Sequence, residues 1–181
     1  MSDSDTLCVR YREHDRVGSL IHRLRDYLEE ISLGFDRWEE PRIYGPGMYL
    51  AIVVGPSVAS YADPMGANRW PKDADCDAFG DDVAFLRGAI EVAYEFDGAV
   101  VVSVDGIASR QMVRFRMTDI SPDLGYASWM GARHMSALDI STRDDVVATL
   151  TLSEETGRVT IFEDGSYESI EREQIGAPWR G

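Results

Sequence analysis

The sequence predicts an α/β fold: a single domain with a central mixed β-sheet flanked by helices. Three observations carry this reading. The run Ala99-Val100-Val101-Val102, following Asp97-Gly98, is β-branched and apolar on both faces, which suits a strand covered on both sides. Over residues 14–31 the apolar positions Val17, Leu20, Ile21, Leu24, Tyr27, Leu28 and Ile31 recur at steps of three and four, the pattern of an amphipathic helix. Strand-like and helix-like segments then interleave as α, β, α, β-β, α, β-β, with no internal repeat and no low-complexity tract.

In chain order, residues 1–6 read as a frayed polar tail. The helix over 14–31 carries Arg16, Arg23, Arg25, Asp26, Glu29 and Glu30 on its polar face, and His14 and His22 read as surface or packing histidines. Residues 34–47 are turn chemistry, and 48–54 is a strand closed by Gly55-Pro56. Gly45-x-Gly47 does not continue into GxGxxG and no GxxxxGK[ST] occurs, so the two common phosphate loops are absent. Residues 63–82 form an acidic loop; Asp73, Asp75 and Asp77 fail as a calcium loop because Ala78 and Ala84 stand where glycine and an acid are needed. A second helix is expected over 81–94, capped by Asp81 or Asp82, with Val83, Leu86, Ile90 and Tyr94 as its apolar stripe. The valine strand runs to 104, turns at Asp105-Gly106 and returns over 111–115 as a hairpin. A loop at 119–125, broken by Pro122, leads to a third helix over 127–138 in which Trp129, Met130 and Met135 are expected in the core. The last third is strand 146–152, a turn, strand 159–163, and a turn at Asp164-Gly165.

Composition narrows the function classes. Hydrophobic residues at 44% and aromatics at 10% exclude a disordered chain. No apolar run approaches the roughly 20 residues needed to span a bilayer, and Met1-Ser2-Asp3-Ser4-Asp5 lacks the basic and apolar regions of a signal peptide, so a cytoplasmic location is expected. Cys8 and Cys76 have no cysteine or histidine at zinc spacing and are expected to be unpaired. The net charge of −14 argues against nucleic-acid and anionic-membrane partners. Of the 18 basic residues only Lys72 is lysine, an acidic, lysine-poor composition that resembles proteins of salt-in halophilic archaea, where high salt screens the self-repulsion.

Asp97 and Gly98 sit at the border of the buried strand. Such a border suits chemistry: the strand holds the backbone, glycine lets a ligand approach it, and the carboxylate can hold a cation or take a proton. Two more short motifs follow at long separation. With Asp97-Gly98-Ala99, Gly131-Ala132-Arg133-His134 and Leu152-Ser153-Glu154-Glu155-Thr156-Gly157 resemble the successive signatures of the diadenylate cyclase domain of the DisA N-terminal type, most similar to its archaeal branch. The resemblance runs over residues 83–165 and implies a catalytic core over 76–170, preceded by a helix, strand and acidic loop (1–75) packed on it and followed by a tail (171–181).

The resemblance implies synthesis of cyclic di-AMP from two ATP with release of two pyrophosphates. It also implies a divalent cation, Mn²⁺ or Mg²⁺, and a site completed by a homodimer or higher homo-oligomer. In that frame Asp97 serves metal and 3′-hydroxyl, Gly98 and Ala99 leave room for the ribose, and Arg133 offers a donor fork to phosphate beside His134. Gly131 and Ala132 lie with them at the nucleotide. Ser153 donates to phosphate, and Glu154 or Glu155 joins the metal shell, with Glu155 the expected ligand. The family commonly reads Gly-Thr-Arg-His-Arg, whereas this chain has Ala132 and Met135 at two of those positions. The missing donors move to Arg143, Arg114 or Arg116 in an active enzyme. The alternative is a non-catalytic regulator that binds ATP or cyclic di-AMP on the same fold.

Overall fold

The computed structural model describes residues 11–67, 69–116 and 123–176. The expectations for residues 1–6, Cys8, 119–122 and 177–181 lie outside these described residues. Helix α1 spans Asp15–Gly34, and the side chain of His14 caps it by accepting from the Arg16 amide. All seven apolar positions named for this helix are buried. The helix outruns the expected end at 31 because Ser32 is also buried, donating its hydroxyl to the Gly157 carbonyl at 2.7 Å.

Strands β1 (Met48–Val53) and β2 (Ala62–Pro64) come next, followed by helix α2 (Asp82–Glu95), which Asp81 caps through the Ala84 amide. Strands β3 (Ala99–Ser103) and β4 (Ala108–Phe115) make the expected hairpin around Asp105-Gly106. Helix α3 (Ala132–Ile140) and strands β5 (Val146–Leu152), β6 (Val159–Glu163) and β7 (Ser166–Ile170) complete the fold. The seven strands form one mixed sheet in the order β2-β4-β3-β1-β5-β6-β7. β1 lies parallel to β3 and antiparallel to β5 at its centre. The division expected at 75/76 runs through this sheet, with β1 and β2 on one side of it and the other strands on the other.

Both faces of the sheet are covered, as the two-sided apolar character of β3 requires. Met48, Leu50, Ile52, Val100, Val102, Leu150 and Leu152 face α1 and α2. Tyr49, Ala51, Val53, Ala99, Val101 and Phe162 face α3, which contributes Ala137, Leu138 and Ile140. The alternation along β1 and β3 therefore serves two cores rather than a core and a wet face. Among the described residues no helix is long and apolar enough to cross a membrane.

Four sequence expectations are corrected. First, the stripe expected to bury α2 is largely exposed: Val83 is 66%, Ile90 39% and Tyr94 52% accessible, while Leu86 is partly buried. The buried face is Phe85, Gly88, Ala89, Val92 and Ala93. Small residues let this helix approach closely. A Cβ at Gly88 would stand 2.6 Å from Trp70 Nε1, and Trp70 stacks on Phe85 with ring centroids 5.0 Å apart. Second, the loop expected over 63–82 holds β2, a short edge strand paired with β4. Third, α3 starts at Ala132 instead of 127, so Trp129 and Met130 lie in the turn before it. Fourth, β7 follows the last expected turn. Its exposed, polar sequence pairs only with β6 at the sheet edge, where no buried alternation is needed.

The α2 correction yields a stability prediction. Phe85→Ala should cost about 3–5 kcal/mol, whereas Val83→Ser and Ile90→Ser should each stay within about 0.5 kcal/mol. Urea denaturation followed by circular dichroism reads both, and equal losses would refute the assignment of the buried face.

Candidate active site

The register of the sheet gathers one edge into a cleft. Pairing of Met48 with Leu152 and of Ala99 with Val113 places the starts of β1 and β3 beside the ends of β5 and β4. The N-terminus of α3 closes the space from the side, leaving a cleft of ≈ 870 Å³. All three motifs line it: Asp97, Gly98 and Ala99 at the entry to β3, Gly131 to His134 at the start of α3, and Ser153 to Thr156 after β5.

Asp97 follows the C-cap of α2, which ends when the Phe96 amide bonds back to the Val92 carbonyl. Gly98 then takes φ +92°, a left-handed conformation that glycine accepts most readily, and its amide donates to Asp97 Oδ1 at 2.7 Å. The Asp97 side chain is left 86% accessible at the cleft mouth. Facing it, Arg133 Nη2 lies 3.6 Å from Asp97 Oδ1 and 3.3 Å from Glu154 Oε2, so one guanidinium joins all three motifs. Gly47 makes this possible, since a Cβ there would meet Arg133 Nη1 at 2.6 Å and the Glu154 Cβ at 2.9 Å. The Gly47 amide donates to the Ala93 carbonyl and that of Gly45 to the Glu154 carbonyl, which pins the preceding loop between α2 and the acidic turn.

The acidic turn is rigid. Ser153 is buried, and its Oγ accepts from the amides of Glu155 and Thr156, each at 3.3 Å, while its own amide donates to the Arg158 carbonyl. Gly157 takes φ +70° against Ser32 and Trp38. Glu154 is turned toward Arg133, and Glu155 is exposed on the same cleft wall. Asp97 and Glu155, the expected metal pair, both line the cleft; the turn carboxylate that shares Arg133 with Asp97 is Glu154. Among the described residues no cluster of three or more histidine, cysteine or acidic side chains forms a ready-made metal cage.

His134 is buried against the edge of Trp129, with ring centroids 5.2 Å apart, and its Nε2 has no hydrogen-bond partner among the described residues. Burial, with the positive charges of Arg133 and Arg158 nearby, pushes its pKa down to about 4. At neutral pH it is an uncharged imidazole that can offer one N–H, not a second cation for phosphate. Below it the Tyr49 hydroxyl lies 3.4 Å from Ser136 Oγ, and burial raises the pKa of that phenol, which stays neutral.

The arginines offered for the missing donors part company. Arg114 and Arg116 line the cleft, whereas Arg143 pairs with Asp145 at 2.8 Å and lies over the Tyr61 ring at 3.8 Å, away from it. Trp129, expected as core, packs partly buried against the α3-side core and also lines the cleft, where Arg158 lies 4.3 Å over its ring; Met130 is buried and Met135 packs against the same core. Arg158, Gly47 and Met65 at the cleft were missed in the sequence. Arg158 directly follows the acidic turn and Gly47 opens the central strand; in each case adjacency to a motif or strand start was the only signal.

Two predictions follow from this geometry. Gly47→Ala should push Arg133 and Glu154 apart and weaken ligand binding without unfolding the chain, read by ligand titration beside a thermal melt. His134 has a folded-state pKa below its unfolded value of about 6.5, so the unfolded chain binds the extra proton. The stability associated with the neutral imidazole is complete above about pH 6.5 and declines at about 1.4 kcal/mol per pH unit toward pH 4. His134→Asn should therefore show a weaker pH dependence than the parent over that window in urea titrations at each pH; parallel slopes would refute the shift.

Comparison with known proteins agrees with the cleft. The family described as "DisA bacterial checkpoint controller nucleotide-binding", the DAC domain, matches residues 87–167. A diadenylate cyclase from Methanocaldococcus jannaschii is 30% identical over 80 residues, 44% of this chain and 25% of that protein. The matched stretch thus spans a quarter of that relative's length. A crystal structure described as a hypothetical membrane-spanning protein from Bacillus cereus matches with a TM-score of 0.56 at 21% identity, covering 85% of this chain and 63% of that one. DacA from Staphylococcus aureus gives a TM-score of 0.49 at 20% identity over 91% of this chain and 97% of that one. The match to the DAC domain family covers residues 87–167, and with them all three motifs that line the cleft.

Proposed function

We propose that the chain condenses two ATP into cyclic di-AMP, releasing two pyrophosphates, with each cleft holding one nucleotide and a second copy of the chain presenting the other. The observation that carries this reading is the meeting of Asp97, Arg133 and Glu154 at one mouth of a cleft that the family match covers. The relative from Methanocaldococcus jannaschii, a diadenylate cyclase, supports it.

In the reaction each ribose O3′ forms a bond to the α-phosphorus of the opposite ATP as the bond from that phosphorus to the bridging oxygen breaks, and pyrophosphate leaves. The exposed carboxylate of Asp97 accepts the 3′-hydroxyl proton. Arg133 exchanges its carboxylate contacts for phosphate oxygens, a planar fork of donors that matches them. The N-terminus of α3, where Gly131 supplies no side-chain cap, adds amide donors for the same charge. Holding two nucleotides in line can itself contribute on the order of 7–11 kcal/mol to the barrier reduction.

The donor set fits Mn²⁺ or Mg²⁺. Hard oxygen-seeking cations are commonly held by one or two carboxylates together with substrate phosphates, and Asp97, Glu154 and Glu155 on the cleft lining would supply them. When bound, such a cation would supply charge neutralisation for the phosphates.

The test is incubation with ATP and Mn²⁺ in molar salt, as the acidic composition suggests, followed by chromatography of nucleotides. Cyclic di-AMP should form, at a rate per protomer that rises with protein concentration. Asp97→Asn should lower turnover by about 10²-fold or more while leaving ATP binding in place. Binding without product would favour a regulator, the reading that Ala132 and Met135 support; absence of both would reject nucleotide chemistry altogether.

A further inference from the structure

We infer that Arg158 is the second triphosphate-binding guanidinium of this cleft, supplied from just before β6 where Met135 leaves none on α3. This rests on the proposed ATP site. Met135 packs against the core on the α3 side of the sheet, so position 135 brings no charge to the nucleotide. Arg158 stands on the cleft wall, and its field reaches His134, whose pKa it helps to lower. The side chain is held in place rather than waving in solvent. Its guanidinium lies 4.3 Å from the Trp129 ring centre, and it donates to Ser169 Oγ at 3.3 Å and to Glu171 Oε1 at 2.8 Å.

This mounting has the form of a prepared anion ligand. Only 19% of the side chain is accessible, so little rotamer freedom remains to be lost on binding. The two bonds occupy two of the five guanidinium donors. Stacking on Trp129 fixes the plane of the fork, as cation–π contacts do for arginine. Glu171 holds the charge in the absence of nucleotide from a side chain that is itself more than half exposed, so the carboxylate can turn into solvent when phosphate arrives. Arg133 and Arg158 would then grip the triphosphate from two sides of His134, whose neutrality avoids a third cation between them. In place of two arginines two positions apart on a single helix, the chain uses one arginine on α3 and one just before β6.

Titrations with a non-hydrolysable ATP analogue and, separately, with adenosine test this on the full chain. Arg158→Met should weaken analogue binding by about tenfold to a hundredfold, the usual range for a charge-assisted hydrogen bond, and leave adenosine binding unchanged. Adding Met135→Arg to Arg158→Met should recover at least part of that loss. Glu171→Gln, which frees the guanidinium from its carboxylate, should keep or strengthen binding. If the parent chain binds no analogue, the ATP site itself fails. If it binds and Arg158→Met binds equally well with an unchanged melting temperature, the role of Arg158 is overturned while the ATP site stands. Equal loss for adenosine and analogue would overturn it as well, in favour of a wall for the base.

Discussion

Arg133 touches Asp97 and Glu154 through one terminal nitrogen, and the two carboxylates come from opposite ends of the matched segment. An ion pair this accessible contributes at most about 1 kcal/mol to stability. Its importance is positional: it is the point at which three chain segments with no local contact become one site. Everything around it serves that meeting. Gly47 leaves the space, the loop before β1 is pinned by amides to Ala93 and Glu154, and the acidic turn is braced from α1 through Ser32.

The central position of β1 follows from the same constraint. Parallel pairing with β3 and antiparallel pairing with β5 bring the entry of two strands beside the exit of a third. Loop ends that carry polar groups can then share an edge while the strands themselves stay buried on both faces. Helices α1 and α2 cover one face, and α3 covers the other with its N-terminus at the cleft. The cleft is consequently built on a sheet buried on both faces, an arrangement that fixes the positions of the side chains lining it.

Charge in the cleft is balanced rather than concentrated. Arg114, Arg116, Arg133 and Arg158 stand among Asp97, Glu154 and Glu155 within a chain of net charge −14. Burial, with two guanidiniums nearby, keeps His134 neutral at pH 7.

Much of this was legible in the sequence because it is encoded locally. Periodicity located α1 and its buried side, β-branched runs located β1, β3, β5 and β6, and Asp-Gly marked the hairpin. The three short motifs named one part of the cleft lining, Asp97 to Ala99, Gly131 to His134 and Ser153 to Thr156. What escaped were features set by distant contacts. α2 buries its glycine and alanines because Trp70 and the sheet approach it closely, a fact that no count of large apolar side chains can reveal. β2 and β7 are edge strands defined by a neighbour rather than by their own pattern. The choice of Glu154 over Glu155 as the partner of Arg133, the burial that keeps His134 neutral, and the mounting of Arg158 on Trp129 each depend on which side chain a turn or helix start aims inward. The sequence by itself therefore determined the α/β class, the strand and helix cores and the identity of the motif residues, since these follow from short-range spacing and turn chemistry. Only the tertiary structure decided which of them meet, because that is set by strand register and by the space that one missing Cβ leaves at Gly47.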